Sequence, residues 1–368
     1  MPFAVPGDEV DEAENVTAGP WHVPPPCHHF PRCGGCQLQH ASDDALTQYL
    51  YDRIVAALIA QGVPMPPIAV PHLSPPRTRR RATLHGERRG REVRLGFNEA
   101  GSHKIVDMRE CHVLLPKLFT LVTPLRALLV ALLPSGGRAS VTLTRVDQGI
   151  ELVLGAIRAD ALAQLEALND FASRHRIARL ALDDGAGPET RWEPQPVTVS
   201  FAGQPVLYPP ANFLQATHDG EQALLAAVRA ALGDAQPIAD LFAGLGTFAL
   251  PLGAAFAVEG SRDAALALLA TRRCQVAHRD LFRRPLTTGE LAPFAGIVLD
   301  PPRAGALEQV KTLATSPVPR IAYVSCNPAT FARDAATLVA GGYKLTHVTP
   351  VGQFRWATHV ELVGAFAR

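Results

Sequence analysis

The chain has 368 residues, 47% of them apolar, and a net charge of +1, which indicates a globular protein of two or three domains. A charge this close to zero excludes nucleic-acid binding through a global positive field, so any such contact must be local. The first twenty residues carry five acids and no base, which excludes a signal or transit peptide, and no apolar segment is long enough to span a bilayer. We therefore expect a cytoplasmic protein with a disordered acidic tail over residues 1–20.

A group of cysteines follows this tail. Cys27, Cys33 and Cys36 lie in CHHFPRCGGCQLQH, and Cys111 comes later, in RECHVL. In a cytoplasmic protein, clustered thiols are more often metal ligands than disulfides, and four thiolates can hold zinc or an iron–sulfur cluster. The paired glycines between Cys33 and Cys36 permit a tight loop around one centre. The spacing leaves the metal open, because either of the two histidines after Cys27 could replace a cysteine at zinc.

The next segments predict an α+β domain over residues 21–205, stapled by the four cysteines. Residues 43–62 have the apolar spacing of a helix, with Ser42 as its N-cap and Gly62 as its C-cap. The remaining pattern predicts strands within 77–106 and at 139–146 and 149–157, and helices at 116–133 and 159–174.

Short apolar strands then alternate with helices, which predicts a doubly wound, mostly parallel, Rossmann-like sheet over residues 206–368. Its first strand ends at Asp240 and turns on Gly244 and Gly246, where such sheets open to a ligand. Glu259 ends the second strand, where a carboxylate can accept both ribose hydroxyls, and Asp280 ends the third, near an adenine amino group. This layout is typical of an S-adenosylmethionine-dependent methyltransferase. For the Gly-x-Gly turn alone, NAD binding is the competing interpretation.

The fourth and fifth strands end at Asp300 and Cys326. Asp300 opens the stiff turn LDPPRAGA, which can hold a carboxylate toward a flat polar substrate. A thiol beside a methyl donor suggests covalent activation of an inert carbon. Addition of Cys326 to C6 of uracil would make C5 nucleophilic, and a base must then remove the C5 proton. Glu361, in HVELV on the predicted last strand, is the candidate base. Methylation of a base nitrogen is the alternative, but it needs no cysteine, and Arg303 replaces the aromatic residue expected there.

Taken together, these motifs resemble the family of RNA uracil-C5 methyltransferases that carry an iron–sulfur cluster. The matching stretches are CHHFPRCGGCQLQH with Cys111, RRRATL, NFLQAT, DLFAGLGTF, VEG, LDPPRAGA, SCNPATFARD and HVELV. The resemblance implies a [4Fe–4S] cluster on the four cysteines, with zinc as the alternative, and it implies Cys326 as nucleophile and Glu361 as base. It adds Gln215 as a residue at the cofactor and target base. It also implies RNA as the partner, with 23S ribosomal RNA preferred to transfer RNA.

Many members of this family carry a β-barrel RNA-binding domain ahead of the cluster, and we expect none in this chain. RNA binding should therefore depend on a local basic patch. Eight arginines lie within residues 77–94, and we expect Arg79, Arg80 and Arg81 to bind phosphate. We expect the metal centre to be structural and the protein to be a monomer without a membrane partner. The alternative from another functional class is a catalytically silent RNA-binding protein stapled by a metal.

Overall fold

A short antiparallel hairpin lies near the start of residues 3–368, the part of the chain that the computed structural model describes. Its strands are β1 (Glu9–Val10) and β2 (Val16–Thr17). The Asp8 carboxylate accepts the N–H groups of Val5 and Gly19 at 2.9 and 2.8 Å, and Val5 is buried beside Cys36. Residues 3–20 are thus folded, which corrects the predicted disordered tail; its first two residues lie outside the described part.

The first long helix packs against the C-terminal half of the chain. Helix α1 (Asp43–Ala60) begins at Ser42, whose Oγ accepts the N–H of Ala45 at 3.2 Å, so the predicted N-cap is confirmed. Its apolar face is buried in the same core as Phe331, and the following strand β3 (His72–Leu73) joins the C-terminal sheet. Both elements lie within the predicted domain over residues 21–205, but they pack with the C-terminal sheet. The boundary predicted at residue 205 therefore does not divide the two domains.

A six-stranded, mostly antiparallel sheet forms the α+β domain. Its spatial order is β5-β4-β6-β7-β8-β9, with β4 (Arg81–Arg89), β5 (Glu92–Gly96), β6 (Arg138–Val146), β7 (Gly149–Gly155), β8 (Arg179–Asp183) and β9 (Pro188–Trp192). The helices are α2 (Pro116–Phe119), α3 (Val122–Leu132) and α4 (Leu162–Arg174). The helix predicted over 116–133 is interrupted after Phe119, because the ring of Pro124 would clash with the carbonyl four residues earlier in a continuous helix. At the end of the range 77–106, where strands were predicted, Ile105 forms only an isolated bridge with Asn98.

The C-terminal half contains an eight-stranded sheet flanked by helices. Before it come the hairpin β10 (Thr198–Phe201) and β11 (Gln204–Leu207) and the helix α5 (His218–Leu232). The strands of the large sheet are β12 (Ile238–Leu241), β13 (Phe256–Glu259), β14 (Gln275–His278), β15 (Gly296–Leu299), β16 (Arg320–Ser325), β17 (Lys344–Gly352) and β18 (Glu361–Ala367), with β3. The helices between them are α6 (Ala249–Leu252), α7 (Arg262–Ala270), α8 (Thr288–Leu291), α9 (Leu307–Ala314) and α10 (Pro328–Ala340).

The order of this sheet, β14-β13-β12-β15-β16-β18-β17-β3, brings the chemistry-bearing residues to one edge. Strands β12 to β16 are parallel, so all five end at the same edge. Strand β18 lies antiparallel between β16 and β17, with Leu362 opposite Ser325. The start of β18 therefore meets the end of β16. Among residues 3–368, no helix has the length and apolar character of a membrane span.

Candidate active site

A cavity of about 600 Å³ opens at the carboxyl edge of the eight-stranded sheet. Because parallel sheets bind ligands at this edge, the topology explains why residues from distant parts of the sequence converge there. Its wall contains seven of the residues predicted from sequence: Gln215, Gly244, Glu259, Asp280, Asp300, Cys326 and Glu361.

The turn after β12 and the end of β13 form the part of the cavity that suits a nucleoside. The Glu259 carboxylate accepts the N–H of Gly244 at 2.7 Å and the N–H of Ser261 at 2.6 Å. Each oxygen keeps lone-pair capacity for a further donor, such as a ribose hydroxyl. Gly244 has φ +55°, and no atom lies within 4 Å of the position its Cβ would take. Asp280 accepts the N–H of Phe282 at 2.9 Å and lines the same wall.

Asp240 and Gly246, two further predicted cofactor residues, do not line this cavity. Asp240 is fully buried in β12, and burial, together with the negative charges of Asp300 and Glu259, raises its pKa well above the usual range. Gly246 has φ +93°, and a Cβ there would lie 2.6 Å from Leu268 in α7. Both residues therefore support the turn from within the fold.

Cys326, Asp300 and Glu361 form an electrostatically coupled group. Burial, and then the nearby negative charge of Asp300, raise the pKa of Glu361 to about 8 against the opposing effect of a hydrogen bond from Gln353. Burial and then Glu259 raise the pKa of Asp300 to about 7. Burial, followed by the charges of Glu361 and Asp300, raises the pKa of the Cys326 thiol to about 11. A thiol and two carboxyl groups thus share one cavity in which negative charge is costly.

A chain of buried amides connects the two acids. Nε2 of Gln353 donates to Oε1 of Gln215 at 2.7 Å, and Nε2 of Gln215 donates to Asp300 at 3.4 Å. Sequence reasoning missed Gln353, which is buried behind the cavity, and it missed Phe354 and His359, which line the cavity. The signal was present as polar residues in VGQFRWATHVELV immediately before the candidate base, but nothing in the spacing showed that they face it.

A smaller, polar cavity of about 360 Å³ adjoins the first, since both are lined by Phe354 and His359. Arg79 and Arg81 line it, and Arg79 lies near the rings of Phe97 and Phe354, with its Cζ 5.8 and 5.4 Å from the ring centroids. In residues 3–368, neither arginine pairs with a carboxylate. The Nε of Arg81 is buried and has no hydrogen-bond partner within this part of the protein.

The contacts of Arg80 differ from those of its neighbours Arg79 and Arg81. Its guanidinium pairs with Glu221 at 2.6 Å, and both side chains are largely buried. It also donates to the carbonyl oxygen of Gln215 at 2.9 Å. This corrects the expectation that Arg80 binds phosphate, because its guanidinium stabilises the contact between β4 and the start of α5.

The four predicted metal ligands, Cys27, Cys33, Cys36 and Cys111, line one common cavity. Burial raises the pKa of each thiol, to about 12 for Cys36, and backbone N–H groups oppose this at the other three sulfurs. Such N–H groups commonly stabilise thiolates at iron–sulfur clusters. His28 instead contacts Glu110 at the surface, with Nδ1 2.7 Å from Oε1. Within residues 3–368, no three His, Cys, Asp or Glu side chains are grouped so as to hold a metal ion. The donor set therefore suits a metal, but the side chains do not form a ligand set as they stand.

Comparison with known proteins gives concordant results. The family model described as tRNA (Uracil-5-)-methyltransferase matches residues 277–367. An uncharacterized RNA methyltransferase of Zymomonas mobilis is 46% identical over all of this chain and 95% of its own length. The 23S rRNA (uracil(1939)-C(5))-methyltransferase RlmD of Halomonas elongata is 32% identical over 96% of this chain and 78% of its own.

One solved structure has the same fold over the whole chain. The crystal structure of Pyrococcus abyssi tRNA (uracil-54, C5)-methyltransferase in complex with S-adenosyl-L-homocysteine superposes with a TM-score of 0.76. It is 20% identical and covers all of this chain and 94% of that one. The Rossmann-like C-terminal fold expected from the sequence is confirmed.

The raised pKa of Glu361 yields a prediction about stability. Between pH 4.5 and about 8 the unfolded state loses the Glu361 proton and the folded state keeps it, so this residue increasingly destabilises the fold as pH rises. Glu361→Gln should therefore raise the melting temperature at pH 8 by several degrees relative to the unchanged protein, and by much less at pH 5.

The matched control is Glu290→Gln. Its pairing with Arg279 lowers the pKa of Glu290 to about 2, so this change should lower the melting temperature slightly at pH 8. Thermal unfolding followed by circular dichroism at both pH values measures both effects. A Glu361→Gln protein that gains no stability between pH 5 and pH 8 would show that this carboxyl has an ordinary pKa.

Proposed function

Since the chain belongs to the RNA uracil-5-methyltransferase family, we propose that it transfers a methyl group from S-adenosylmethionine to C5 of a uridine in 23S ribosomal RNA. The preference for ribosomal RNA is supported by the Halomonas elongata relative, which matches nearly the whole chain. Transfer RNA is the alternative substrate.

The observation that supports this chemistry most strongly is the meeting of Cys326 and Glu361 in one cavity. A thiol nucleophile and a carboxylate base are the two groups that methylation of an inert C5 carbon requires. They come from the adjacent strands β16 and β18, and both lie beside the wall formed by Gly244 and Glu259. That wall suits the adenosine part of the methyl donor, whose sulfonium carbon supplies the methyl group.

The proposed reaction proceeds in three steps on the uracil ring. The Cys326 thiolate adds to C6, and the electron pair of the C5–C6 double bond becomes an enolate at C5 and O4. C5 then takes the methyl group as the carbon–sulfonium bond breaks, which leaves S-adenosylhomocysteine. Glu361 removes the C5 proton, the C5–C6 double bond re-forms, and the bond between sulfur and C6 breaks. Cys326 is regenerated as a thiolate, and the proton leaves through Glu361.

The protonation states of the cavity fit this sequence of steps. Without ligands, near neutral pH, Cys326 is a thiol, Glu361 is mostly protonated and Asp300 is partly protonated, because the cavity disfavours negative charge. A cationic methyl donor would favour the anionic forms of all three groups. We therefore propose that the thiolate and the base form when the donor is bound, and that Gln215 and Gln353 orient Asp300 and Glu361.

We also propose that Cys27, Cys33, Cys36 and Cys111 hold a [4Fe–4S] cluster, with zinc as the alternative. The support is their common cavity, the N–H groups directed at the sulfurs and the proximity of Arg79, whose charge favours the Cys111 thiolate. Its role would be structural, because methyl transfer as described needs no electron. RNA phosphate would bind Arg79 and Arg81 in the polar cavity beside Cys326.

The covalent step can be tested with 23S ribosomal RNA transcribed with 5-fluorouridine. Fluorine at C5 cannot leave as a cation, so the adduct between Cys326 and C6 should persist and should require S-adenosylmethionine. Cys326→Ala should form no adduct, while the control Cys274→Ala, a change at a cysteine that does not line the cavity, should form it normally. Glu361→Gln should accumulate adduct even with ordinary uridine, because only the elimination is slowed.

Denaturing gel electrophoresis followed by peptide mapping identifies the linked residue. An adduct at Cys274, or methylation by Cys326→Ala, would refute the mechanism. The same assay with transfer RNA transcribed with 5-fluorouridine separates the two substrate classes, since only the true substrate should be trapped at a single uridine.

The metal proposal predicts iron and sulfide in protein purified without oxygen, with brown visible absorption that air bleaches. Changing any of the four cysteines to Ser should lose the iron and lower the melting temperature, whereas Cys274→Ser should keep both. Elemental analysis provides the measurement. Stoichiometric zinc with no iron in the anaerobic protein would favour the alternative metal and contradict the cluster.

The adjacent residues Arg80 and Arg81 provide a matched pair of variants. Arg81→Ala should weaken RNA binding and lower the slope of log affinity against log salt by about 0.7 to 0.9, with an unchanged melting temperature. Arg80→Ala leaves Glu221 buried without its partner, so it should reduce the free energy of unfolding by roughly 3 kcal/mol. Filter binding over a salt series and thermal unfolding distinguish them. A stable Arg80→Ala protein with a flattened salt slope would reverse these assignments.

A further inference from the structure

An open groove of about 810 Å³ lies on the α+β domain next to the cysteine cavity, with which it shares His29 and Val106. Helix α3 contributes Thr123, Arg126, Ala127 and Val130, which lie three to four residues apart and so share one face of the helix. The start of β5 and the loop before it contribute residues 91–94, and the connection after β5 contributes residues 104–107 and 109. Residues of the cysteine loop complete the lining, so four separate segments of the chain form this groove.

The groove is basic. Six cationic side chains line it, from all four segments: Arg32, Arg91, Arg94, Lys104, Arg109 and Arg126. Only two carboxylates line it, those of Glu92 and Asp107, and a third, that of Glu99, contacts its margin. Cations thus outnumber acids two to one in a chain whose net charge is only +1, which marks this groove as a local positive field.

Two of the acids hold cations in place. Glu99 pairs with Arg32 at 2.9 Å and with Lys104 at 3.3 Å. Asp107 pairs in the same way with Arg109 at 2.7 Å and with Arg126 at 2.9 Å. Each carboxylate therefore neutralises one positive charge and fixes the positions of two cationic side chains.

Arg91 and Arg94 differ from these four cations. Both are exposed, and neither has a carboxylate partner in the described part of the chain. A planar guanidinium of this kind is suited to bidentate binding of phosphate.

The groove lies on a continuous route to the cavity that contains Cys326 and Glu361, which we call the catalytic cavity. His29 and Arg32 of the cysteine loop line the groove, and Gly34 and Gly35 of the same loop line the polar cavity that contains Arg81. That polar cavity in turn shares Phe354 and His359 with the catalytic cavity. One short loop thus separates the groove from the place where the target base would bind.

We propose that this groove binds the phosphodiester backbone of the RNA strand next to the target uridine, with Arg91 and Arg94 as direct phosphate contacts. This inference rests on the proposed function, because it takes RNA as the substrate. The occupant is an extended polyanion, since the cations follow a groove and converge from several segments, whereas a single small anion would contact only one of them. The groove increases affinity for long RNA without touching the reacting base.

The test compares two double variants of the full-length, metal-loaded protein. Arg91→Ala with Arg94→Ala removes the two unpaired cations. Arg158→Ala with Arg191→Ala removes the same number of arginines at the other end of the six-stranded sheet, where Arg191 lies on β9 and Arg158 pairs with Asp184. Binding to poly(U) is measured by fluorescence anisotropy over a salt series. Melting temperature and S-adenosylmethionine affinity are measured in parallel.

The groove variant should lower the slope of log affinity against log salt by about 1.4, because each lost contact to single-stranded RNA contributes about 0.7. Its melting temperature and S-adenosylmethionine affinity should be unchanged, and the control variant should keep the full slope. An unchanged slope in the groove variant overturns the proposal. An equal loss of slope in the control also overturns it, because the effect would then be one of total charge.

The two proposals fail in different ways. A protein that methylates neither ribosomal nor transfer RNA, but loses poly(U) affinity with Arg91 and Arg94, would contradict the proposed function and keep the groove as an RNA-binding surface. A protein that methylates RNA with a salt slope independent of these arginines would contradict the groove alone.

Discussion

The antiparallel insertion of β18 between β16 and β17 is the constraint on which the site depends. In a purely parallel sheet every strand would end at the cavity edge and none would begin there. Because β18 runs in the opposite direction, its first residue, Glu361, starts beside the last residue of β16, which is followed directly by Cys326. Two groups more than thirty residues apart in sequence thus become neighbours through one strand pairing. The remaining cavity residues follow from the ordinary geometry of parallel strands.

This convergence has an electrostatic cost that the surroundings offset only in part. Three acids, Asp240, Asp300 and Glu361, have pKa values raised chiefly by burial, and nearby carboxyl groups raise them further. The amides of Gln215 and Gln353 supply hydrogen bonds but no positive charge. A stable fold alone would not retain such an arrangement, since apolar residues of similar size would avoid the desolvation. The proposed cationic methyl donor would account for it, because that ligand would bring the missing positive charge.

The sequence predicted those features that depend on neighbouring residues. It did not predict the features that depend on contacts between distant segments of the chain. The glycine turn at Gly244 and the N-cap at Ser42 follow from backbone conformation and capping, and both are present as expected. The packing of α1 on the C-terminal core was missed, because an amphipathic helix does not indicate which sheet it covers. Arg80 and Arg81 are adjacent and chemically identical, yet Glu221, 141 residues after Arg80, holds only Arg80 inside the fold. The spacing of residues in the sequence could not have shown that Arg80 and Arg81 make different contacts.

The contacts of the cysteine loop connect the proposed metal centre to the candidate active site. The N–H groups of Gln37 and Leu38, directly after the last cysteine of the loop, donate to the carbonyl oxygen of Trp356 at 2.7 and 2.9 Å. Trp356 is buried in the same cluster as Cys36 and lies five residues before Glu361, in the segment that carries Phe354 and His359 into the catalytic cavity. Any ligand that fixes the four cysteines would therefore also fix this segment. Disorder in the loop would loosen the approach to the candidate base, so damage to a purely structural centre would appear as a loss of activity.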